Sequence, residues 1–198
     1  MADKLFVFDC FGVVCDEVAP PWLEQFFSPE EAARVKSDIV KQADFGDISE
    51  EEMFARLGAL VGQSGAQAQA GWMELAVLRP GIPALLRALR EKATVVMLSD
   101  APNTFLYRVL RQIGVTDLFS KIYVSSELHM VKPDPAIFRH VLTDQGVSPE
   151  NALMIDDRIK NVRGAESVGM QGLLFDFDST AAFARELNRR FPSWELPP

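Results

Sequence analysis

Positive charge is scarce in this chain. Lysine and arginine together number 20 against 28 aspartates and glutamates, a formal net charge of -8 over 198 residues. Phosphate backbones and anionic lipid surfaces need a basic face, so the deficit argues against nucleic acid and membrane as partners. A small anionic substrate is still allowed, because one local cation or metal reverses the sign at a site. Long apolar runs are missing too, and none approaches the roughly 20 residues of a membrane-spanning helix. Nor does the N-terminus carry the basic stretch and apolar core of a secretory leader, so the expected location is cytoplasmic. Cysteine is limited to Cys10 and Cys15. With no further Cys or His pair to complete a zinc site, both read as small buried hydrophobes in a reduced protein. The two histidines, His129 and His140, read as surface residues and not as catalysts.

What the chain does have is apolar content. Hydrophobic residues make up 48% of it, enough for one good-sized domain, or a domain with an insertion, around a substantial core. The first strong signal is Leu5-Phe6-Val7-Phe8 running into Asp9, with Gly12 shortly after. A short apolar run bounded by a turn reads as a strand buried on both faces, ending at the sheet edge where open α/β folds bind ligands. Asp9 there either begins a turn or serves as nucleophile or metal ligand.

Residues 16 to about 78 show helix signals only. Capping boxes stand at Ser28-Pro29-Glu30-Glu31, predicting a helix towards Lys41, and at Ser49-Glu50-Glu51-Glu52. A weaker helical segment spans Ala66 to Leu78, and Trp22, Phe26 and Phe27 suggest a short one before them. From Arg79 onward helices alternate with strands at Thr94 to Leu98, Lys121 to Ser125, Ala152 to Ile155 and Gly172 to Phe175. That rhythm predicts a parallel sheet with right-handed crossovers, and it makes the helical stretch an insertion after the first strand.

Asp9, Ser99 and the pair Asp156-Asp157 stand at strand ends, and Lys132 lies in a loop after another strand. A parallel sheet delivers all of them to one edge. The chemistry such a set supports is phosphoryl transfer. Hard oxygen ligands from Asp9 and Asp157 suit Mg²⁺, which also takes substrate phosphate into its shell. Ser99 can donate to a phosphate oxygen, and Lys132 can neutralise the charge that spreads in the transition state. Asp9 would attack phosphorus, giving an aspartyl phosphate that water hydrolyses. Each residue also has a structural alternative: Lys132 pairing with Asp156 or Asp157, and Ser99 and Asp157 capping the helices behind them.

Four motifs in order, Phe8-Asp9-Cys10-Phe11-Gly12-Val13, Leu98-Ser99-Asp100, Lys132-Pro133-Asp134-Pro135, and Ile155-Asp156-Asp157 with Asn161 and Gly164, resemble the haloacid dehalogenase (HAD) superfamily. Gly46-Asp47-Ile48-Ser49, residues 126–133 and the acidic doublet resemble one branch of it. That branch holds sugar-phosphate phosphatases and the phosphatase domain fused to soluble epoxide hydrolases. The resemblance implies an α/β fold. Its Rossmann-like core, a parallel five-stranded sheet, comes from residues 1–15 and 79–198, with a small all-helical cap inserted at 16–78. It implies Mg²⁺ held by Asp9, Asp157 and the backbone carbonyl of Phe11, with Asp156 as a ligand or just behind. Substrate contacts fall to Ser99, Asp100 and Lys132, the substrate being a small phosphorylated metabolite. Separately from the resemblance, the protein is expected to be a monomer or homodimer. Asp16, Trp22 and Phe45 are the candidates for reaching into the site from the cap.

One position departs from the pattern. Phosphatases of this superfamily usually carry a second Asp two residues after the nucleophile, as proton donor and acceptor, and here that residue is Phe11. Losing such help typically costs about 10²–10⁴-fold. Three readings follow. The first is a phosphatase restricted to good leaving groups, or one that moves the proton through water or a cap residue. The second is a 2-haloacid dehalogenase using Asp9, since that enzyme carries an aromatic residue at this position. The third is a scaffold that binds a phosphorylated ligand or partner with little turnover. The acidic doublet ranks the phosphatase first, because adjacent carboxylates near Asp9 repel unless a cation sits among them, and the dehalogenases lack the doublet.

Overall fold

Every residue of β1 (Leu5–Phe8) is fully buried, as an unbroken apolar run requires of a strand covered on both faces. In the computed structural model, which describes residues 4–177, 179–190 and 192, it lies at the centre of a five-stranded sheet. Its partners are β2 (Thr94–Ser99), β3 (Lys121–Val124), β4 (Ala152–Asp156) and β5 (Gln171–Leu174), in the order β3-β2-β1-β4-β5 with every pairing parallel. Alternate side chains serve opposite faces: Phe6 and Phe8 join the larger apolar cluster, Leu5 and Val7 the one containing Ile137 and Phe138. The α/β architecture with five parallel strands is the one the sequence rhythm predicts. Residues 1–3 and 193–198, which the sequence assigns to the core, lie outside the described residues.

The helices expected between the first strand and the rest are Ala19–Leu23, Pro29–Val35, Glu50–Leu60 and Gly65–Leu75. At Ser28 the capping box closes both ways, the hydroxyl accepting from the Glu31 N–H while the Glu31 carboxylate accepts from the Ser28 N–H. Phe54 and Trp72 meet Phe105 edge to face, with ring centroids 5.5 and 5.7 Å from it. These contacts pin the helical stretch to the helix that follows β2, Asn103–Ile113.

Two expectations need correction. Ser125 does not end β3; it begins a short helix, Ser125–Leu128, and its hydroxyl turns out of the sheet. The helix from Pro29 does not stop near Lys41. A π-helical turn, Lys36–Val40, leads into a further α-helical turn, Lys41–Phe45, ended by Gly46 with φ +92°. A β-carbon on Gly46 would stand 2.6 Å from the Ser126 carbonyl oxygen, so only glycine ends the helix here without strain. A π turn winds more slowly than an α turn and offsets the drift of residues four apart, keeping Lys36, Val40 and Asp44 on one face.

Cys10 and Cys15 are buried and unbonded, with sulfurs 3.9 Å apart. His129 is exposed, and His140 is half-buried, edge-on to Tyr123. Among the described residues no helix is long and apolar enough to cross a membrane.

Candidate active site

The carboxyl ends of β1, β2 and β4 deliver Asp9, Ser99 and Asp156 to one edge of the sheet, beside a cavity of about 280 Å³. At its floor the Lys132 ammonium lies 2.8 Å from Asp9 Oδ1 and 2.8 Å from Asp156 Oδ2. It also donates to the Leu98 carbonyl at 3.1 Å. Burial alone would push this lysine down, but Asp156, Asp9 and Asp100 outweigh burial and hold it charged, above the usual lysine range. The loop is itself fixed from β2, because Asp100 Oδ1 accepts from the Lys132 backbone N–H.

The two acids of the doublet have different surroundings. Asp156 has zero exposure, and both its oxygens are engaged: Oδ1 by the Arg158 backbone N–H and the Asn161 amide, Oδ2 by Lys132 and the same amide. Burial pushes its carboxyl up, yet Lys132 and these donors bring it below the ordinary aspartate value. Asp157 Oδ1 is buried with no hydrogen-bond partner among the described residues, the nearest cation being Arg158 Nε at 3.9 Å. Burial and then the Glu17 carboxylate push Asp157 up to about 6. Asp9, 7% exposed, is also pushed above its usual value, first by burial and then by Asp156 and Asp157, against the pull of Lys132.

One oxygen from each of Asp9, Asp156 and Asp157 lies within 4.8 Å of the others. Three hard carboxylate oxygens this close, in a group where Asp157 also has a buried oxygen without a hydrogen-bond partner among the described residues, fit a small divalent cation such as Mg²⁺. The turn after β1 is shaped around the same acids. Gly12 has φ +85°, and a β-carbon there would stand 2.5 Å from Asp157 Oδ2. Gly12→Ala is therefore expected to cost about 1–3 kcal/mol in a denaturant melt. It should also displace Asp157 and so weaken Mg²⁺ binding by isothermal titration. A variant as stable as the parent would show that the turn yields without strain.

Ser99 is fully buried, its hydroxyl without a hydrogen-bond partner among the described residues, and Asp100 and Ala101, not Ser99, form the adjoining cavity wall. The Phe11 ring lies nearly parallel to Phe105, 6.2 Å away, as part of the aromatic wall. None of the three inward candidates from the helical stretch lines the cavity. Asp16 pairs with Arg79 at 3.3 Å, Trp22 packs beside Trp72, and the Phe45 ring sits beside His129 outside it. Glu17, Trp72 and Asp44 line it instead. Glu17 accepts from Arg158, bridging the chain after β1 to the chain after β4. A signal that could have found Asp44 was Gly46, since a glycine stop two residues later implies a helix still running at 44.

The geometry is matched by likeness to known proteins. Residues 4–169 match the family described as haloacid dehalogenase-like hydrolase. The chain is 30% identical over 158 residues to the sesquiterpene phosphatase astK of Aspergillus oryzae, across 77% of this chain and 81% of that protein. It is 31% identical over 108 residues to a phosphoglycolate phosphatase of Pseudomonas putida, across 53% of this chain but 40% of that protein. A HAD family enzyme of Bacteroides thetaiotaomicron, solved with magnesium and inorganic phosphate, superposes with a TM-score of 0.77 at 26% identity. That match covers 92% of this chain and all of the other.

Proposed function

Since the chain belongs to the haloacid dehalogenase-like hydrolases, we propose that it is a Mg²⁺-dependent phosphatase of small phosphomonoesters with Asp9 as nucleophile. The observation that carries this is the convergence of Asp9, Asp156 and Asp157 within 4.8 Å, beside a buried lysine and a cavity. Asp9, Asp157 and the Phe11 backbone carbonyl would hold the Mg²⁺, which on binding offsets the repulsion between an anionic nucleophile and an anionic phosphate. Asp156, whose oxygens are already taken, positions Lys132 from behind.

The residues then divide the work. The Asp9 carboxylate attacks phosphorus, and the ester oxygen leaves as the new O–P bond forms. Lys132 meets the charge that spreads over the phosphoryl oxygens. Ser99 stands behind the cavity wall with no partner for its hydroxyl among the described residues, and by turning into the cavity it would donate to one of those oxygens, recovering a hydrogen bond whose absence in the interior costs about 1–3 kcal/mol. Water then attacks the aspartyl phosphate and restores Asp9. The helical stretch 16–78 is the cap over this site, closing it to bulk water through Glu17, Lys36, Asp44 and Trp72. A sugar phosphate is the substrate the branch resemblance favours. The aromatic wall of Phe11, Trp72 and Phe105 favours an ester with an apolar organic group.

A panel of phosphate esters, assayed with Mg²⁺ and with a chelator, separates the two substrate classes. Phosphate release that needs Mg²⁺ is the expected outcome, with the preferred ester showing which wall sets specificity. Turnover indifferent to chelation would overturn the proposal. Halide release from a 2-haloacid without metal would instead favour a dehalogenase. A ligand-induced rise in Tm without turnover of any ester would favour a binding scaffold.

A further inference from the structure

Phe11 stands where a proton carrier is expected, and its ring is occupied in packing against Phe105. The cavity nevertheless contains another carboxyl. Asp44 lines it together with Asp9, Phe11 and Lys132, although Asp44 stands 35 positions after Asp9 in the chain. Its side chain makes no hydrogen bond or ion pair among the described residues. Its backbone, by contrast, is tightly held. The Ser125 hydroxyl donates to the Asp44 carbonyl and accepts from the Ala101 N–H, tying the helix end to β2 and β3 at the mouth of the site. His129 Nδ1 lies 3.1 Å from the next carbonyl, that of Phe45. A fixed backbone with a free side chain facing a cavity is an arrangement that keeps the carboxyl for a ligand.

We propose that Asp44, delivered from the helical insertion, is the proton donor and acceptor of the reaction, replacing the acid that Phe11 has displaced. As Asp9 attacks phosphorus, the Asp44 carboxyl gives its proton to the ester oxygen while the P–O bond to it breaks, and the neutral alcohol leaves. The Asp44 carboxylate then takes a proton from the water that attacks the aspartyl phosphate. The Asp9–phosphorus bond breaks, inorganic phosphate leaves, and both aspartates return to their starting states.

The charge environment suits such a role. Burial pushes the Asp44 carboxyl up to about 7, with Asp100 adding to the rise and Lys36 and Arg158 opposing it more weakly. Glu17, after β1, pushes it up slightly further. A carboxyl titrating there can be protonated for the first step and ionised for the second.

The inference rests on the phosphatase reading, and the test tells their failures apart. Asp44→Asn and Asp44→Glu are compared with the wild type on benzyl phosphate, a poor leaving group, and p-nitrophenyl phosphate, a good one, both with Mg²⁺. In single-turnover assays Asn is expected to lose about 10²–10⁴-fold on the benzyl ester and far less on the aryl ester. The wild-type benzyl rate should fall as pH rises through about 7, because the acid form is used up, and Asn should lack that limb. With the aryl ester Asn should give a burst of p-nitrophenol followed by slow turnover, because the second step has lost its base. Glu should recover part of the benzyl rate. A Tm no lower than the wild type's and an unchanged Mg²⁺ affinity in Asn identify these losses as chemical. Equal losses on both esters in the first turnover, or a wild-type pH limb preserved in Asn, would overturn the role of Asp44. A wild type inert towards every ester would instead overturn the phosphatase reading, and this inference with it.

Discussion

Asp9→Asn should abolish turnover without unfolding the protein. Amide nitrogen and oxygen cannot form the aspartyl phosphate, and deleting a nucleophile typically costs on the order of 10⁴–10⁶-fold. Stability should move the other way. The Asp9 carboxyl is held well above its usual value by burial and by the neighbouring Asp156 and Asp157. A raised aspartate value means that the charged form is penalised in the folded state at neutral pH, a penalty that fades as pH falls and the carboxyl protonates. Asparagine removes that penalty, while its oxygen can still accept from the Cys10 N–H and Lys132. The variant should therefore melt no lower than the parent in metal-free buffer at pH 7, an exchange of stability for activity common at working sites. Residual phosphate release within about tenfold of the parent would remove Asp9 from the mechanism.

Lys132→Met should do the opposite and damage the fold as well as the chemistry. The Lys132 side chain is 1% exposed, and its ammonium is the shared counter-charge of Asp9 and Asp156. Removing one partner of a buried ion pair leaves its acids uncompensated and typically costs about 3–5 kcal/mol. Denaturant melts without metal should show that loss. Added Mg²⁺ should recover part of it, because a divalent cation brought among the same carboxylates offsets their repulsion, while activity stays absent. Adding Asp156→Asn to the variant should cost less than its effect in the parent, the coupling expected of contacting charges. A single variant within about 1 kcal/mol of the parent would mean that the ammonium contributes no more than an exposed ion pair does.

The core was legible in the sequence because each strand is a short apolar run ending in a polar residue, and each crossover helix has a cap or a glycine stop. Asp9, Lys132, Asp156 and Asp157 were legible for the same reason, since a parallel sheet leaves strand ends only one edge to occupy. Ser99 shows where that logic thins. Its place at the end of β2 follows from the run before it, but whether its hydroxyl reaches the cavity depends on a fraction of a turn that no pattern encodes. The helical stretch was read less well. Asp16, Trp22 and Phe45 were the wrong members of a nearly right set, because which residue faces inward depends on helix phase. For Phe45 that phase was reset by the π turn at Lys36–Val40, whereas Asp16 and Trp22 precede that turn and sit in a loop and a short first helix; capping signals locate helix ends, not changes in winding.

The grip on position 44 is exerted on its carbonyl by Ser125, and the chain is turned away two residues later by Gly46. Neither hold involves the side chain. Whatever amino acid stood there would be presented to the same spot, so the fold provides a socket and the residue is a removable fitting. Descendants of this chain, or designers working with it, could install an imidazole, an amine or an inert alkyl group at that point and change the chemistry without rebuilding the architecture that delivers it.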